Sequence, residues 1–87
     1  MKHVFRAKKM GWSEEEEFIW FDANLYTKDE AESEFKPHED TNRRGYRFTY
    51  YVYDGERYYS YKYLGLFEDD NLPKNNQDVI NHLLGKR

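Results

Sequence analysis

Cysteine is absent from the 87-residue chain, which excludes disulfides and thiolate metal sites and fits a reducing compartment. Proline is scarce at 2 residues and glycine at 5, and no stretch rich in Gly, Ser or Pro marks a linker. No apolar run approaches the ~20 residues of a membrane-spanning helix, and the N-terminus MKHVFRAKKMGW holds no signal-like apolar segment. These absences lead us to expect one small cytoplasmic domain over residues 1–87. A chain this short buries only about 60–65% of its unfolded surface, so each buried group counts heavily.

Aromatic residues are what the chain has in excess. They make up 20% of it, against 38% hydrophobic residues in total. A core built of rings follows, because each aromatic side chain buries on the order of 150–250 Å². The tyrosines are concentrated: 8 of the 9 fall within YRFTYYVYDGERYYSYKY, residues 46–63.

Charge is uneven as well. Residues 1–12 carry +4, residues 13–41 carry −9 and residues 42–67 carry +3, within a total of −3. An acidic segment between two basic ones speaks to partners and solubility rather than to fold.

The order of elements follows from local pattern. KHVFRAKKM alternates His3, Phe5 and Ala7 against Lys2, Val4, Arg6 and Lys8, which predicts a strand over 2–10. Ser13 and Glu16 have capping-box spacing and favour a helix from 14. The β-rich Phe18-Ile19-Trp20-Phe21 outweighs it, and we expect a strand over 17–26. Thr27 and Glu30 repeat the capping pattern ahead of an acidic helix over 28–35, pinned by Ala31 and Phe35 and ended by Pro37. Residues 36–45, KPHEDTNRRG, read as a polar loop.

Asp54-Gly55 between β-rich runs is a type I′ hairpin turn, which sets Tyr53 opposite Glu56. Unbroken period two then puts Tyr46, Phe48, Tyr50, Val52, Tyr59, Tyr61 and Tyr63 on one face. That face covers a last helix capped by Asn75 or Asn76, with Val79, Ile80, Leu83 and Leu84 inward and Gly85 closing it. The expected fold is α+β: an antiparallel sheet of about four strands in ββαββα order, with the C-terminal helix on one face.

The other hairpin face would show Tyr51, Tyr53 and Tyr58 beside Arg47. Exposed Tyr and Arg suit a protein contact. They also suit stacking on single-stranded nucleic acid. A third reading has residues 1–26 or a second copy of the chain cover them. The acids Glu30, Glu32 and Glu34 either solvate the surface or dock into a basic groove, as on proteins that handle nucleic acid.

Catalytic patterns are missing. His38-Glu39-Asp40 lacks a second histidine at metal-site spacing. No phosphate loop and no nucleophile elbow occurs. We therefore expect a non-enzymatic, protein-binding regulator or inhibitor of the phage or mobile-element kind, without cofactor or metal. It would contact its partner through Tyr51, Tyr53, Tyr58, Arg47, Glu30, Glu32 and Glu34. Single-stranded nucleic-acid binding is the alternative.

Overall fold

The computed structural model describes residues 1–11 and 15–83. The expected cap at Ser13, the helix start at 14 and the closing Gly85 lie outside the described residues. The chain forms β1 (Lys2–Lys9), β2 (Glu16–Asp22), α1 (Lys28–Glu32), β3 (Lys36–Thr41), β4 (Arg47–Tyr53), β5 (Glu56–Phe67) and α2 (Asn76–Leu83). The five strands make one antiparallel sheet in the order β2-β1-β5-β4-β3. The α+β class is as expected, but the sheet has a fifth strand and the order is ββαβββα.

The added strand is β3, KPHEDT, within the segment whose polarity predicts a loop. It sits at the sheet edge and is exposed along its whole length, so no apolar alternation announces it. Pro37 and three charged residues are tolerated there because an edge strand needs neither a full set of amide donors nor a buried face. Its pairing is complete nonetheless, from Lys36 opposite Val52 to Thr41 opposite Arg47. The tip closes through Asn42, whose side-chain oxygen accepts from the amides of Arg44 (2.9 Å) and Tyr46 (3.1 Å). Gly45, at φ +83°, supplies the left-handed residue of that turn.

The first helix is shorter than expected. Thr27 caps it, the Thr27 hydroxyl accepting from the Glu30 amide while the Glu30 carboxylate accepts from the Thr27 amide. It ends at Ser33 rather than at the proline, and tight turns at Glu34 and Phe35 then swing Phe35 into the core. Thr27→Ala should cost about 1 kcal/mol, read as a lower thermal midpoint.

α1 and α2 cover opposite faces of the sheet. On the α1 side, Phe5, Ala7, Ile19, Phe21, Ala31, Phe35 and Tyr58 form the core. Phe35 is its hub, stacked on Tyr61 at 4.6 Å and close to Phe5 (5.2 Å), Phe21 (6.1 Å) and Tyr53 (5.2 Å). On the other side Val4, Phe67 and Val79 are buried, and the His82 ring stacks on Phe67 at 3.8 Å. Asn75 caps α2 by accepting from the Asp78 amide at 2.9 Å.

The type I′ turn is present, with Asp54 at φ +51° and Gly55 at +78°, and Tyr53 pairs with Glu56. The hairpin faces nevertheless differ from those expected: Tyr61 and Tyr63 stay against the core, while the faces of β4 and of the start of β5 are exchanged. The β1–β5 register shifts so that Lys8 faces Ser60 while Lys9 faces Tyr58, leaving Tyr59 as the extra residue of a bulge. Period two breaks there. Tyr61 and Tyr63 face α1 as neighbours of the core, but Tyr58 and, across the hairpin, Tyr51 and Tyr53 now face it too.

The bulge also frees the outer half of β4. β4 pairs with β5 only through Tyr51–Tyr53, after which β5 runs along β1. His38–Thr41 and Arg47–Tyr50 therefore pair only with each other, as a two-stranded ribbon at one edge of the sheet.

Candidate binding surfaces

The expected contact residues separate into three groups. Tyr51, Tyr53 and Tyr58 belong to the core side of the sheet, which corrects the exposed cluster expected of them. Tyr58 is 2% exposed, and its phenol donates to Glu17 at 3.0 Å. Burial, with the hydrogen bond to Glu17 next, holds that phenol far above the usual tyrosine range. Tyr51 meets Tyr61 edge-on at 4.9 Å, and Tyr53 packs on Phe21 at 5.4 Å. Burial raises the phenols of Tyr53, Tyr61 and Tyr63 in the same direction.

Arg47 is exposed and lies on the ribbon opposite Thr41, beside an open depression lined with Glu39, Asp40 and Thr41. Glu30, Glu32 and Glu34 stay on the α1 side. Glu30 is occupied by the cap, Glu32 stands against the Tyr61 phenol, and Glu34 lies close enough to Tyr53 to raise it. The structure thus brings the three acids and the three tyrosines to the same side, with the tyrosines underneath.

Strand alternation also sorts the charges by face. The α1 side holds Glu17, Asp29, Glu30, Glu32, Glu34, Glu39 and Glu56 against Lys9, Lys28 and Arg47. Lys9 bridges Glu17 and Glu56 at 3.5 Å each, and those two carboxylates, Glu56 foremost, raise its ammonium above the ordinary lysine value. The opposite side holds Lys2, Arg6, Lys8, Lys36, Arg57 and Lys62 against Glu16, Asp22, Asp40 and, on α2, Asp78. Arg6 pairs with Glu16 at 3.0 Å and Lys2 with Asp22 at 3.7 Å. Lys36, Arg57 and Lys62 make no ion pair among the described residues.

The surface that sequence reasoning missed is on that opposite side of the ribbon. His38 stacks on Tyr50 at 5.4 Å, and Phe48 lies 6.2 Å from Tyr50. Phe48 and Tyr50 were expected under the last helix, and His38 in the polar loop. α2 does lie on this side of the sheet, but at the far end, over Phe67. The signal available was Asn42-Arg43-Arg44-Gly45, a short Gly-containing loop between two strand-length segments.

His38 and Asp40 point to one face of β3 and Glu39 to the other, so that trio does not converge. Among the described residues no group of three His, Cys, Asp or Glu side chains is arranged to hold a metal ion, and no helix is long and apolar enough to cross a membrane. Comparison with protein-family models, with curated proteins and with solved structures finds no match to this chain.

Proposed function

We propose that the protein is a non-enzymatic binding module, a small regulator or inhibitor that docks onto a partner protein through the acidic α1 side. The separation of charge through the sheet carries this reading. A net charge of −3 spread evenly would only keep the chain in solution. Gathered over α1, where they outnumber Lys9, Lys28 and Arg47, and with most of the bases on the reverse, the carboxylates present a net negative field to a basic groove. Such a groove is what a nucleic-acid-processing protein offers to phosphates, so that class of partner fits best. The buried tyrosines below α1 serve by holding the acids on a rigid base, and the direct contacts are Glu32, Glu34 and their acidic neighbours.

The test is capture of a partner from lysate of the natural host by the tagged chain, after nuclease digestion. Glu32→Lys with Glu34→Lys should reduce recovery of the partner at least ten-fold while leaving the thermal midpoint near that of the parent. Full recovery by the reversed variant would remove the acidic side from the interaction. Disappearance of all captured material on nuclease treatment would instead make nucleic acid the primary ligand.

A further inference from the structure

The ribbon displays rings that the fold does not use. Phe48, Tyr50 and His38 stand side by side on the face away from α1, half-buried or exposed, and among the described residues no helix ring or ion pair is found against them. Burial does not account for this placement, since the core is completed elsewhere by Phe5, Phe21, Phe35 and Tyr58.

Their surroundings are cationic. Lys36 and Arg57 flank Val52 on the same face, Lys36 from β3 and Arg57 from β5. The tip adds Arg43 and Arg44, both exposed. The acid on this face of the ribbon is Asp40, opposite Phe48. The remaining carboxylates of the α1 side lie across the sheet, and added salt screens fields beyond about 8–10 Å. The local field at the rings is therefore positive although the whole chain is at −3.

We propose that this face binds single-stranded nucleic acid, the bases stacking on Tyr50, Phe48 and His38 and the phosphates running along Lys36, Arg57 and the arginine tip. Alternate aromatic side chains on a sheet face hold two or three unstacked bases in this way. A duplex hides its base faces, so the arrangement selects single strands. Charge complementarity commits the face to a polyanion with flat rings. The occupant and the protein partner use opposite sides of the sheet, so the two proposals stand or fall separately.

The test is fluorescence anisotropy of a labelled oligothymidine of about ten nucleotides, a length within the range such surfaces cover, titrated with the full chain. Binding should weaken steeply with salt, and Arg43→Ala with Arg44→Ala should lower the salt slope by about one to two. Phe48→Ala and Tyr50→Ala should each weaken binding about ten-fold or more. Their circular dichroism should match the parent, since neither ring is in the core. Glu32→Lys with Glu34→Lys should not weaken it. Absence of binding at low salt, a response flat in salt, equal affinity for a duplex, or full affinity in the folded Phe48 and Tyr50 variants would each overturn the proposal. So would loss of the protein partner, rather than of the oligonucleotide, in those same variants.

Discussion

Phe35→Ala is expected to destabilise the fold by about 3–5 kcal/mol, measured by urea denaturation. The residue sits between α1 and β3, outside any regular element, and is 2% exposed. It touches Phe5 of β1, Phe21 of β2, Tyr53 of β4 and Tyr58 and Tyr61 of β5, so one ring joins four strands. The surrounding groups are themselves rings anchored on strands, which limits collapse into the cavity. A domain of this size has a total stability of about 5–15 kcal/mol at most, so the variant should be largely unfolded well below the parent's midpoint. Phe48→Ala, on the ribbon, should cost about 1 kcal/mol or less. Equal losses at the two positions would mean that the ring cluster under α1 is not the core.

Alkaline pH should unfold the protein through the same cluster. The Tyr58 phenol is raised by burial and by Glu17, to which it donates. A group whose folded pKa is raised contributes stability that is complete below its unfolded value, about 10 for tyrosine, and is lost as pH rises through the folded one. Above pH ~10 the unfolded chain releases this proton and the folded chain keeps it. Stability therefore falls by up to about 1.4 kcal/mol per pH unit from Tyr58. Tyr53, Tyr61 and Tyr63 act in the same sense and more weakly, because each is only half-buried. Tyr58→Phe should flatten this alkaline limb and cost about 1 kcal/mol at neutral pH for the lost hydrogen bond. Absorbance of phenolate followed with pH, alongside circular dichroism, checks it: a set of tyrosines should ionise together with unfolding. Smooth ionisation of every tyrosine near pH 10 with the fold intact would contradict the burial.

Much of this was legible in the residues, for identifiable reasons. Phe5 and Ala7 alternate with Arg6 and Lys8 because β1 is central and its two faces meet different neighbours. Thr27 with Glu30 announced α1 because both halves of the capping box are local. Asp54-Gly55 set its turn because only left-handed backbone closes a two-residue hairpin. Two things were not legible. KPHEDT hides as a strand because an edge exposed on both faces leaves no period to read. The bulge at Tyr59 hides because it depends on how β5 meets both β4 and β1, which no local pattern records. That single extra residue exchanged the faces of β4 and of the start of β5, so Tyr51, Tyr53 and Tyr58 looked like a contact surface and Phe48 and Tyr50 looked like core. Of the expected contact residues, Glu30 is exposed and Glu32 and Glu34 half-buried beside α1, whereas Tyr58 is buried and Tyr51 and Tyr53 are half-buried against the core.

The division of labour between the two sides of the sheet is the central claim, and hydrogen–deuterium exchange of the chain with and without its captured protein partner tests it most directly. Slowed exchange over residues 28–34 and 54–58, with residues 38–50 unchanged, is the predicted result. Slowed exchange confined to the ribbon, with the α1 side as fast as in the free chain, would contradict it.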